Sequence, residues 1–76
     1  RESSVHEKVL ETVTAFALDY GFSVKRLDFS PIQGGHGNIE FLAHLEKTNS
    51  PQNDAQTSIK EVVAQAHKEF KKNEEE

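Results

Sequence analysis

The sequence contains no cysteine, no methionine and no tryptophan among its 76 residues. Without cysteine, neither a disulfide framework nor a thiolate metal site can staple the chain. The lack matters at this length, because so short a domain buries only roughly 60% of the surface its unfolded chain exposes. Bases are scarce too: nine stand against thirteen acids, for a net charge of −4. That is a poor electrostatic footprint for binding nucleic acid unaided. No apolar run reaches the length of a membrane span or of a signal-peptide core, so no membrane partner is expected and the chain reads as cytoplasmic. The missing methionine, with Arg1 in first place, reads as a piece excised from a longer polypeptide.

What is present falls into four segments. Ser4 and Glu7 have the spacing of a capping box. After them Val5, Val9, Val13, Phe16 and Tyr20 recur at three- and four-residue steps, with Leu10 and Ala17 widening the stripe. This predicts a helix over 4–20, closed by Gly21. Residues 22–29 are rich in β-formers, but Phe22 and Val24 share one parity while Leu27 and Phe29 share the other, so a bulge near Lys25-Arg26 or partial cover on both faces is expected. Ser30-Pro31 ends that strand. From Ile39 to Glu46 the alternation is clean, with Ile39, Phe41, Ala43 and Leu45 on one face and Glu40, Leu42, His44 and Glu46 on the other. Residues 47–57 have linker composition and need not be ordered. A second capping box, Ser58 with Glu61, opens an amphipathic helix over 58–73 whose stripe is Ile59, Val62, Val63, Ala66 and Phe70. The acidic end, 74–76, sits badly at a helix C-terminus and should fray.

The fold class predicted is α+β: helix, antiparallel β-hairpin, helix. A two-stranded ribbon needs cover to be stable in water. Two helices can cover one face; the other, with Leu42 and, on one of the two parities of the first strand, Leu27 and Phe29, would stay partly bare, and both ribbon edges would be open.

Chemistry concentrates in the connection between the strands. Gly34, Gly35, His36, Gly37 and Asn38 lie there, and Glu40 stands at the start of the second strand. A glycine run of this kind suits a phosphate cradle only when it feeds a helix; here it feeds a strand, so a hairpin loop needing positive φ is the better account. Its glycines still allow close approach to a substrate. From the residues alone, Glu40 is by default a solvated carboxylate on a polar strand face. His44 shares its face but lies about 13 Å away at ordinary strand rise, too far for a common ion, and no metal site is expected. Ser30 and His36 make a weak dyad, and Lys25-Arg26 a minimal basic patch that a solvated strand edge explains as well.

Ser30-Pro31-Ile32 with Gly34, followed by Gly37-Asn38-Ile39-Glu40-Phe41-Leu42, resembles the C-terminal signature of TlyA-type proteins. These are haemolysin-labelled, FtsJ-related ribosomal RNA 2′-O-ribose methyltransferases. Val5-His6-Glu7-Lys8-Val9 and Gly21-Phe22-Ser23-Val24 extend the likeness. The resemblance implies that residues 4–46 are the last helix and final hairpin of a Rossmann-like methyltransferase domain. It implies transfer of a methyl group from S-adenosylmethionine to a ribose hydroxyl of rRNA, with rRNA or a ribosomal subunit as the partner. Of the family's lysine–aspartate–lysine–glutamate set, only the glutamate falls here, as Glu40. The lysines, the aspartate and the cofactor-binding residues would lie upstream, so this segment holds no cofactor site and is inactive alone. Gly34 to Asn38 would border the substrate. The competing expectation is a freestanding α+β interaction module that dimerises through its open sheet. A pore-forming role finds no segment apolar enough to insert.

Overall fold

A computed structural model describes the backbone of residues 2–74 and the side chains through Lys71. Helix α1 spans Ser3–Asp19, strand β1 Phe22–Phe29, a short 3₁₀ turn Gly35–Gly37, strand β2 Phe41–Lys47 and helix α2 Ile59–Glu74. The strands pair antiparallel in a two-stranded sheet, so the fold class is the α+β arrangement expected. The helix reaches Glu74, inside the segment expected to fray, and Glu75-Glu76 lie outside the described residues.

The two helices begin differently. The Ser4–Glu7 capping box does not form: α1 starts one residue earlier, with Glu2 at its N-cap and no side-chain hydrogen bond there. The Ser58–Glu61 box does form. The Glu61 amide donates to Ser58 Oγ and the Ser58 amide donates to Glu61 Oε1, both at 3.1 Å. Gly21 follows α1 with φ +88°, a left-handed conformation that glycine adopts without strain, and turns the chain into β1.

The parity conflict in β1 resolves as a bulge at Lys25. Val24 pairs with Leu45 and Arg26 with His44, leaving Lys25 without a partner position. The bulge returns Leu27 and Phe29 to the face that holds Val24, opposite Ala43 and Phe41. This corrects the expectation that Leu27 and Phe29 would lie on the bare face. Val24 and Leu27 join Leu10, Ala17, Val62 and Val63 in one core, with Phe29, Phe41 and Ile59 packed against it. The α2 stripe is buried as its spacing requires.

In α1, by contrast, the buried line is Leu10, Thr14 and Ala17. The longer stripe stays out, with Val9, Val13, Phe16 and Tyr20 exposed by 53%, 47%, 60% and 62%. So α1 has apolar surface on two sides, and this chain covers one of them. Phe16 and Tyr20 stack on each other at 4.4 Å in that exposed stripe.

The linker is ordered and acts as a strap. The Val24 amide donates to the Gln52 carbonyl, and the Asp54 amide donates to the Val24 carbonyl at 2.7 Å, in a parallel bridge along the outer edge of β1. Ser23 Oγ accepts from the Gln52 amide, and Lys25 Nζ donates to Asp54 Oδ2 at 3.0 Å. The bulge supplies the geometry: Lys25 leaves the ladder and reaches sideways to the strap. One ribbon edge is thereby closed, which corrects the expectation of two open ones. β2 keeps its outer edge unpaired among the described residues.

Two outcomes are expected. Ser58→Ala should lower stability by about 1 kcal/mol, or about 4–8 °C in midpoint, while Ser4→Ala should change it by less than about 0.5 kcal/mol; thermal unfolding of both variants checks this. The hydrogen bond and charge of Asp54 raise the Lys25 pKa above its ordinary 10.5. The ammonium's contribution is therefore complete below the unfolded-state value and is lost as pH rises through the raised one. Asp54→Asn should destabilise by a constant amount from neutral pH up to 10.5 and by progressively less above it, as denaturant midpoints across that range would reveal.

Candidate functional site

The connection between β1 and β2 is a closed turn in which the amides of Gly34, Gly37 and Asn38 are bonded internally. Gly34 donates to the Asn38 carbonyl at 2.7 Å, Gly37 to the Gly34 carbonyl and Asn38 to the Gly35 carbonyl, both at 3.2 Å. Gln33 Nε2 donates to the Gly37 carbonyl at 2.9 Å, and Ser30 Oγ accepts from the Ile32 amide. These bonds point the amides of Gly34, Gly37 and Asn38 at carbonyls of the turn itself, so these three are not offered to an anion. Gly37 has φ +74° and His36 φ +59°, the latter left-handed in a residue with a side chain. His36 and Asn38 are exposed, and the Ser30 hydroxyl is held by the turn, so no Ser30–His36 dyad forms.

Glu40 sits one residue before β2. Its carbonyl accepts from the Ser30 amide at 2.8 Å, extending the ribbon past the Phe29–Phe41 pair. The side chain turns back under the loop toward Gly34. A Cβ added at Gly34 would lie 2.5 Å from Glu40 Oε2 and 2.9 Å from its carboxyl carbon. Gly34 has a φ of −77°, open to any residue, so what glycine supplies there is room for the Glu40 side chain in its present position rather than a conformation. A Cβ at Gly35 would have open space within 4 Å. Among the sequence's substrate-side residues, the structure thus brings Gly34 to Glu40 and leaves Gly35, His36 and Asn38 outward.

The carboxylate of Glu40 has no hydrogen-bond or ion-pair partner among the described residues. The ion pairs there are Lys25–Asp54, at 3.0 Å, and Arg26–Asp28, at 2.9 Å. Both basic residues considered as a patch are therefore committed to neighbouring carboxylates. Glu40 shares the helix-free ribbon face with Leu42, His44 and Glu46, as its parity requires. No group of three or more histidine or acidic side chains is placed to hold a metal ion among the described residues.

Two features were invisible in the sequence. His6 Nδ1 and His67 Nε2 meet at 2.8 Å between α1 and α2, and the His6 ring packs edge-on against Phe41 at 5.1 Å. The two histidines are 61 residues apart, and no spacing rule links them. Beside them an apolar groove of about 560 Å³ runs between α1 and β2, lined by Val5, Val9, Val13, Ile39 and Leu42 among others. The valine stripe announced an apolar surface there, but not that it would lack cover.

No helix among the described residues is long and apolar enough to cross a membrane. No family model matches the chain. The chain is similar to "Putative rRNA methyltransferase YqxC" of Bacillus subtilis, 42% identical over 74 residues, which are 93% of this chain and 26% of that protein. It is also similar to "Hemolysin A" of Brachyspira hyodysenteriae, 41% identical over 45 residues, covering 59% of this chain and 19% of that one. A solved structure titled "Putative hemolysin from Streptococcus thermophilus" matches over 100% of this chain and 28% of its own, with 92% identity and a TM-score of 0.94. The chain thus spans about a quarter or less of the proteins it matches, and its likeness is to chains named as rRNA methyltransferases and haemolysins.

Proposed function

We propose that this chain is the C-terminal segment of a Rossmann-like, S-adenosylmethionine-dependent rRNA 2′-O-methyltransferase, and that Glu40 is its contribution to catalysis. The observation that carries the reading is the Glu40 carboxylate, without a partner among the described residues, beneath a glycine that makes room for it. The relative named as an rRNA methyltransferase supports it. So do the open outer edge of β2 and the apolar groove beside α1, where a further strand and its flanking layer would pack.

In this reading a ribose hydroxyl, a weak nucleophile, is aligned with the methyl donor while alkoxide character develops on its oxygen. A lysine ammonium from another part of the longer polypeptide stabilises that charge. Glu40 holds the ammonium in place and favours its charged form. Glu40 is thus a positioning residue; S-adenosylmethionine, when bound elsewhere in the longer protein, supplies the methyl group. The loop from Gln33 to Asn38 flanks the carboxylate and faces the RNA. The competing module that dimerises through the β2 edge rests on the same open edge and groove. Sedimentation of the chain separates the two, since self-association at micromolar concentration would favour the dimer.

Two substitutions in a full-length protein carrying this segment test the reading. Glu40→Gln keeps shape and removes charge; it should lower kcat by about 10²-fold with little change in KM for RNA. Wild-type turnover would remove Glu40 from the mechanism. Gly34→Ala should displace the Glu40 side chain, because the added methyl meets the end of a flexible side chain and not backbone. Activity should therefore fall while the unfolding midpoint changes little. Gly35→Ala, with open space around it, should leave activity unchanged.

A further inference from the structure

The loop between the strands is a fixed frame with one ring displayed on it. Hydrogen bonds that close residues 30–38 on themselves hold the frame. Gly34, Gly37 and Asn38 donate to carbonyls of the turn, Gln33 donates to the Gly37 carbonyl, and the Ile32 amide donates to Ser30 Oγ. His36 stands in the middle of this frame, exposed to solvent. Among the described residues, no hydrogen bond, ion pair or ring contact engages its imidazole.

The His36 backbone is left-handed, with φ 59° and ψ 25°. Among the described residues, no other residue with a side chain has a positive φ. An L side chain in that region crowds the following carbonyl, a cost that glycine avoids. Glycine occupies both neighbouring positions, while the strained position between them holds a ring. A Cβ added at Gly35 or Gly37 would meet no heavy atom within 4 Å. The imidazole is thus flanked by bare backbone and open space. Glu40 lies beneath Gly34, at the other end of the same short turn.

Charge does not select a phosphate as the partner of this ring. The chain carries a net charge of −4, and Lys25 and Arg26 are paired with Asp54 and Asp28. Stacking needs no net charge, because it uses the flat face that every nucleobase offers. Histidine is among the side chains on which unpaired RNA bases lie. We infer that His36 is a stacking platform for an unpaired base of an RNA substrate, favouring a purine beside the ribose presented to Glu40. The choice of RNA rests on the function proposed above; the platform rests on the loop itself.

The test uses a full-length protein that carries this segment, with decaadenylate and decauridylate RNA as probes. Both strands have the same phosphates and riboses, so a change in their relative affinity reports on the bases. His36→Asn removes the ring and keeps a residue type that accepts a left-handed backbone, so the unfolding midpoint should change by less than about 2 °C. Decaadenylate should bind about 10-fold more weakly, the loss of one base–aromatic stack. Decauridylate should lose about threefold or less, because a pyrimidine covers less of the ring. His36→Gly, which also relieves the backbone, should give the same two shifts. Unchanged affinity for both strands, or an equal loss for both, would overturn the platform. The first outcome leaves His36 a loop residue only, and the second makes it a contact to phosphate or sugar. The result is separable from that of Glu40→Gln, since no turnover is measured. A base preference that depends on His36, beside a dispensable Glu40, would retain the platform and discard the methyl-transfer role; the converse would retain only the latter.

Discussion

A two-stranded ribbon has two faces and two edges, and this chain has material to cover one of each. The helices take the face that presents Val24, Leu27, Phe29 and Phe41. The strap at Gln52–Asp54 takes the edge of β1. Leu42 and the outer edge of β2 have nothing over them among the described residues, and the valine stripe of α1 extends the same uncovered region. The bulge at Lys25 makes this division possible. It brings Leu27 and Phe29 to the covered side and frees a lysine to tie down the strap. A regular ladder in its place would turn two large apolar residues toward solvent, at a cost of about 1.5–3 kcal/mol for each if they were otherwise fully buried.

Local signals in the sequence were legible where one residue's neighbours along the chain settle the outcome. Gly21, Ser58 with Glu61, and the period of two from Phe41 onward are of that kind. They name a helix end, a helix start and a strand face without reference to anything distant. Ser4 with Glu7 offers the same pattern and does not form, because α1 begins at Ser3 and moves Ser4 into the helix. The α1 stripe fails differently. Its valines announce an apolar face correctly, but burial depends on what stands opposite, and here α2 and β1 meet the Leu10–Ala17 line instead. The strap was illegible for a related reason. Thr48 to Gln56 has loop composition, and its order comes from hydrogen bonds to Val24 and Ser23 that no local pattern encodes.

The candidate site divides along the same line. Glu40 and its glycine loop could be singled out from the sequence, since a carboxylate at the mouth of a hairpin and a run of glycines are both visible there. What the sequence could not say is which glycine matters to the carboxylate. Gly37 is needed for its backbone angle and Gly34 for its missing side chain, while Gly35 is needed for neither near Glu40. The histidine contact, made across the packed helices, depends on tertiary structure throughout and carries no local trace.

The uncovered region bears on Glu40 through desolvation. In the chain alone an exposed carboxylate without a partner costs little, because water solvates it. If a further layer packs beside β2 and along α1, water is displaced from around the mouth of the hairpin. A carboxylate stripped of water and left unpaired costs several kcal/mol, more than a small domain of marginal stability can readily absorb. Whatever covers this part of the ribbon must therefore either leave Glu40 a path to solvent or bring a cation to it. A catalytic cleft does both: it stays open to its substrate, and the ammonium that stabilises an oxyanion there also compensates the glutamate.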